Sequence, residues 1–352
     1  MNEQLVVRPI SLNGHNRPVK RVLFTRDGDF FVSSSTDRTC VLWRTSNAHI
    51  TGVYKHEAAV ETMDLSPDDK LIAAGGFGGI NIWDLFSGRL VGRIEGKNYA
   101  PVWLAFDCNG DRLAVVSSKR MNTAASLRIF DVSEMKKNET DKPVVLDIND
   151  TPYISKPESL STFLLQRATV VTFDRMSQHI ILGTDCGSDG EGELYKIDPE
   201  TLEIVGEPVY AHESAVAQIE FSLDYTHFLT CGYNDKQAKL WDSATMECIK
   251  TYNMKVPCRG GAIHPHIDQI ILAGGQDARD VTQTGSTEDQ FHIFFYDKIM
   301  AEPLGELSGH FGPVHCLAFS PSGKEIASCS EDGTVRLYVF VDGDSYLKWH
   351  SV

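Results

Sequence analysis

Apolar and polar positions repeat along this chain in one order. An apolar strand runs into a short polar turn, and the turn into a second apolar strand rich in small residues. The turns fall at 24–28, 65–69, 106–110, 173–177, 221–225, 263–267 and 319–323, so the unit recurs seven times. Four of the six intervals are 41, 41, 48 and 42 residues, whereas 67 and 56 mark insertions. In most units a further strand ends at an aromatic–acidic pair: Trp83-Asp84, Phe130-Asp131, Trp241-Asp242 and Tyr296-Asp297. Four units open with a histidine, in Gly14-His15, Lys55-His56, Ala211-His212 and Gly309-His310. Short strands with turn signals at a period of ~40–45 residues predict four-stranded antiparallel blades closed into a ring. The ring also accommodates a length of 352 residues, which is large for one core, since these stop growing near ~250–300.

The G-H opening and W-D ending of these units resemble WD40 repeats over nearly the whole chain. The resemblance implies an all-β, seven-bladed propeller, a single domain over 1–352. It also implies a hydrogen-bonded brace inside a blade: His15, Asp37 and Trp43 in the first, and His212, Asp235 and Trp241 in the fifth. The seventh has His310 and Asp332 with Tyr338 for the tryptophan. The second departs, with Phe77 six residues before Trp83 where an aspartate is expected.

The last unit ends one strand short, while the apolar segment 5–10 belongs to no strand of the first. That segment is predicted to close the ring as the outer strand of blade seven, where Pro9 is tolerable on an edge. Of the two insertions, 133–167 reads as a solvated turn at 135–142, an outer strand at 144–148, and a loop at 151–166. The loop is expected to tuck its apolar end, Phe163-Leu164-Leu165, against the surface, with a partner contact as the other reading. The second insertion, 276–290, is a polar loop.

Hydrophobic residues at 42% and charged residues at 23% are those of a globular protein. The formal net charge of −15 argues against direct nucleic-acid binding, which needs basic groups to displace counterions. No apolar run is long enough for a membrane span, and the first residues lack a secretory pattern. The 8 cysteines include no C-x-x-C pair, which suits reduced thiols in the cytoplasm. No nucleophile elbow, phosphate loop or zinc-protease motif occurs. His264-Pro265-His266 offers two imidazoles without a third ligand. The expectation is no enzyme, no cofactor and no metal; a propeller hydrolase is the enzymatic alternative.

Charge is the remaining signal. From Asp198 to Glu247 ten acids face only Lys236 and Lys239, a local −8, whereas residues 1–44 carry +3. An acid-rich rim suits docking of a basic segment.

Two segments are more specific than the repeat: Leu272-Ala273-Gly274-Gly275-Gln276-Asp277-Ala278-Arg279-Asp280-Val281-Thr282, and Gly309-His310-Phe311-Gly312-Pro313-Val314. In this order and spacing they resemble the subunit I family of eukaryotic translation initiation factor 3. The resemblance implies a non-catalytic scaffold that binds subunit g and a C-terminal helical segment of subunit b. It would reach the small ribosomal subunit through the complex. Carried onto this chain, the subunit b site is Asp224, Leu240 and Asp242, with Leu240 offering apolar area and the carboxylates pairing with cations. A different WD40 adaptor, of the kinase-receptor-associated or ubiquitin-ligase type, stays open at this point.

Overall fold

The computed structural model describes residues 9–119, 124–148, 153–154, 162–185, 191–276 and 291–340. Its first strand, β1 (Ile10–Leu12), stands apart from the blade that follows. Blade one is β2 (Val19–Phe24), β3 (Phe30–Ser35), β4 (Thr39–Arg44) and β5 (Ile50–Lys55), hydrogen-bonded in that order from the inside outward. Blade two repeats this with β6 (Val60–Leu65), β7 (Leu71–Gly76), β8 (Gly79–Asp84) and β9 (Leu90–Glu95). Blade three has β10 (Pro101–Phe106), β11 (Arg112–Ser117) and β12 (Ser126–Asp131), then the short helix α1 (Ser133–Lys136) and β13 (Val144–Asp147).

Here the structure differs from the sequence expectation. β13 does not complete its own blade; it pairs in parallel with β9, as a fifth strand on the edge of blade two. The outer strand of blade three is instead β14 (Tyr153–Ile154), paired with β12. The polar stretch at 135–142 is likewise more than a solvated turn, because Met135 of α1 is buried against Val91 and Val132. Helix α2 (Thr162–Arg167) follows, with Leu164 and Leu165 buried between blades three and four. The rest of the 151–166 loop, and 277–290 of the second insertion, lie outside the described residues.

Blade four is β15 (Ala168–Phe173), β16 (Ile180–Thr184), β17 (Gly192–Ile197) and β18 (Val209–His212). Blade five is β19 (Val216–Phe221), β20 (His227–Gly232), β21 (Gln237–Asp242) and β22 (Cys248–Asn253). Blade six is β23 (Cys258–Ile263), β24 (Gln269–Gly274), β25 (Ile293–Asp297) and β26 (Pro303–Leu307). Blade seven has β27 (Val314–Phe319), β28 (Glu325–Ser330) and β29 (Val335–Val339), and β1 pairs antiparallel with β29 as its outer strand. Inner strands pack in sequence from β2 to β27, and β27 returns against β2, so the propeller closes. The closing strand lies at Ile10–Leu12, at the end of the predicted 5–10 segment; residues 5–8 are outside the described residues.

Successive side chains of a strand point to opposite faces, and here each face belongs to a different core. Phe31 packs with blade seven, and its neighbour Val32 with blade two. Seven apolar clusters result, one between each consecutive pair of blades. This explains strands such as β7, buried at every position. Because every blade runs inside to outside with the same hand, the first and third turns of all blades share one end of the ring. The second turns and the inter-blade loops share the other.

Candidate docking site

Ser33 connects the brace residues of blade one. The Trp43 indole N–H donates to Ser33 Oγ at 2.8 Å, and Ser33 Oγ lies 2.8 Å from His15 Nε2. His15 Nδ1 in turn lies 3.0 Å from Asp37 Oδ2. Burial holds His15 below its ordinary pKa against the pull of Asp37. Burial would raise Asp37, but Thr39, the Asn16 N–H and His15 together hold it low. The pair is therefore a neutral imidazole donating to a carboxylate. Blade five repeats the chain through Thr230: Trp241 Nε1 at 2.8 Å, His212 Nε2 at 2.7 Å, and His212 Nδ1 to Asp235 at 2.8 Å. In blade seven His310 joins Asp332 at 3.0 Å and Ser328 at 2.7 Å. The Ser–His–Asp order resembles a hydrolytic triad, yet Ser33 is fully buried, out of any substrate's reach. The hydroxyl was not anticipated from sequence. Blade two has neither the hydroxyl, where Ala74 stands, nor the aspartate; its His56 Nδ1 accepts the Ala58 N–H instead.

Asp224 and Asp242 lie at one end of blade five, in its first and third turns. Asp224 Oδ1 accepts from the Ser222 hydroxyl at 2.6 Å and from the Thr226 N–H at 3.1 Å. These bonds, the Ser222 hydroxyl first, pull its pKa down to about 2. Thr25 with Asp27 and Ser66 with Asp68 form the same turn. Asp242 Oδ1 accepts the N–H groups of Thr245 and Ala244, both at 2.9 Å, which lower its pKa. Asp198 and Asp297 terminate their strands the same way. The acid of the W-D pair therefore fixes the third turn, and both carboxylates stay ionised while doing so.

Leu240 does not join them. It is 3% exposed, packed between blades five and six. The reason is strand alternation: Trp241 faces blade four, so its neighbour faces blade six. The exposed apolar group beside the carboxylates is Leu223, 60% exposed at the tip of the first turn. A leucine at a turn tip, where other blades have Arg26, Pro67 or Arg175, was the available signal. His227 lies opposite Asp242 in the β20–β21 register, with its ring Nδ1 2.7 Å from the Thr226 hydroxyl that also bonds Asp224.

The acid run is less continuous in space than in sequence. Asp198, Glu200, Glu203, Asp224, Asp242 and Glu247 share the turn end of blades four and five. Asp235 belongs to the brace, and Glu220 lines a cavity of about 350 Å³ in the central channel, where burial pushes its pKa up to about 8. Among the described residues no group of three or more metal-ligating side chains converges, and no helix is long and apolar enough to cross a membrane.

Comparison with known proteins places the chain in a family. A family model described as EIF3I matches residues 7–351. The chain is 34% identical over 340 residues to eukaryotic translation initiation factor 3 subunit I of Aspergillus terreus, covering 95% of each chain. It is 32% identical over 340 residues to the subunit I of Botryotinia fuckeliana, covering 96% of each. With seven blades matched from end to end, the chain belongs to the eukaryotic translation initiation factor 3 subunit I family.

Proposed function

We propose that this propeller is a non-catalytic scaffold of translation initiation factor 3 in the cytoplasm, holding subunits b and g and reaching the small ribosomal subunit through the complex. The observation that carries the subunit b contact is the pairing of two ionised carboxylates, Asp224 and Asp242, with the exposed Leu223 at one end of blade five. Leu223 takes the apolar role that Leu240 cannot fill. A helix with a basic side and an apolar side would meet charge and apolar area together, and complementary charge fixes register and speeds encounter.

The test must keep the turns intact, because both carboxylates accept turn hydrogen bonds. Asp224→Asn with Asp242→Asn preserves an acceptor at each turn, a position asparagine suits, and removes both charges. Calorimetric titration with the C-terminal segment of subunit b is expected to show affinity weakened about tenfold or more. Unchanged affinity in a folded double variant would remove these residues from the site.

A further inference from the structure

The second blade breaks the brace pattern at Phe77, and the break leaves a phenyl ring 54% exposed. It stands at the opposite end of the ring from Asp224, on the β7–β8 turn. That turn is shorter than its counterpart in blade one: Gly76 pairs directly with Gly79, whereas residues 36–38 separate β3 from β4. Gly78 has φ +99°, and nothing lies within 4 Å of a Cβ placed there. Its glycine answers a backbone requirement, not a space requirement. The Gly78 N–H donates to Tyr99 O at 2.8 Å, and the Gly96 N–H to Gly78 O at 3.2 Å. The turn is thus anchored to the next loop and holds the ring out in water.

Phe77 divides two cavities. The inner one, about 340 Å³, is lined by Glu61, Ala100, Pro101, Val102 and Ser118. Among the described residues its only charged side chain is Glu61, the bulged residue of β6, where the register shifts between Val60 and Thr62. Bulges re-aim a side chain out of the ladder. The Glu61 carboxylate is exposed and has no hydrogen bond or ion pair among the described residues. In the outer cavity, about 360 Å³, the Arg93 guanidinium is already engaged by Glu57, Glu95 and Asn81. Among the described residues that line the inner cavity, the one charge is therefore negative, and Ala100, Pro101 and Val102 give apolar area beside it.

We propose that this end of blades two and three docks an extended segment of a partner protein that carries a large apolar side chain next to a lysine or arginine. The apolar group fills the inner cavity between Phe77 and Pro101, and the cation meets Glu61. The site is separate from the one on blade five and does not depend on it.

The test is selection of a random 12-residue peptide display library on the intact protein, with synthesis of the enriched sequences. These are expected to share an apolar residue beside Lys or Arg. Their affinity, by fluorescence polarisation, should fall at least tenfold with Phe77→Asp and with Glu61→Gln, and hold with the Asp224→Asn, Asp242→Asn pair. Both side chains are exposed, so the melting temperature should not change, and the Glu61→Gln arm stands if Phe77→Asp unfolds. Enriched peptides without this pattern, or with equal affinity for wild type and both variants, would overturn the proposal.

Discussion

Ser33 takes an indole N–H and contacts an imidazole nitrogen at once, so its hydroxyl is the one atom through which Trp43 and His15 are both satisfied. Removing it leaves two buried polar atoms without that partner, and a buried unsatisfied group costs ~1–3 kcal/mol. Ser33→Ala is therefore expected to lower unfolding free energy by ~1–3 kcal/mol in urea titration. Its neighbour supplies the control. Ser34 is equally buried, but its hydroxyl has no hydrogen-bond partner among the described residues, so Ser34→Ala should be neutral or slightly stabilising. Equal costs for the two would remove the brace from the account of stability. Histidine, aspartate and tryptophan were legible in the sequence because they recur at matching places in more than one unit, as His15, Asp37 and Trp43 and again as His212, Asp235 and Trp241. The serine was not, because it sits in the run Ser33-Ser34-Ser35 and only side-chain alternation tells which one faces the tryptophan. The family resemblance carried Leu240 onto the docking surface with Asp242, yet it faces the core between blades five and six, because adjacent residues of a strand face opposite cores.

Strands and turns followed from the repeat, and the closing strand followed from counting: seven units with one strand missing at the end and one spare at the start. Its energetic weight rests on Leu12, which is 5% exposed among Trp43, Val335 and Leu337, so it belongs to the core joining blades seven and one. Leu12→Ala is expected to cost ~2–5 kcal/mol, the range for buried leucine truncations. Ile10→Ala, at a site 46% exposed, should stay within ~0.5 kcal/mol. Chemical denaturation of both variants checks this; similar effects would mean that the strand does not lock the ring. The insertion after blade three was harder to read. Val144, Val145 and Leu146 announce a strand, but nothing in their order says which edge they join. The parallel pairing with β9 requires the chain to travel back to the previous blade. Met135 secures that return: a Cβ placed on Gly92 would collide with its sulfur at 2.1 Å. Local pattern specifies that a strand forms, whereas partner choice depends on contacts distant in sequence.

Across the whole molecule, charge and protonation are distributed unevenly, and this has a consequence for stability. Histidines on several blades are buried and neutral: burial lowers the pKa of His15, His56 and His310, and lowers His264 and His315 to about 4. His264 shows the geometric cause. Its Nδ1 accepts the N–H groups of His266 at 3.0 Å and Ile267 at 3.1 Å, while Nε2–H donates to Gly323 O at 3.2 Å. A proton on Nδ1 would break both accepted bonds. When the folded pKa lies below the unfolded value of 6.5, the unfolded chain takes up protons first as pH falls. Stability is then full above about 6.5 and is lost progressively on the way down to the folded pKa, by up to ~1.4 kcal/mol per pH unit for each such histidine. The brace and turn carboxylates act elsewhere. Asp37, Asp224, Asp235 and Asp332 have lowered pKa values, so their contribution is present above about 4 and is lost only in stronger acid. Between pH 7 and pH 5 the histidines lower stability as pH falls, while Glu220, whose folded pKa of about 8 lies above its unfolded value, acts in the opposite direction. His264→Asn offers an amide oxygen to the same N–H groups without a titrating proton. Urea unfolding at pH 7.0 and pH 5.0 should show the His264→Asn variant losing about 1 kcal/mol less than the wild type. Parallel losses in the two proteins would show that His264 is already solvated in the folded ring.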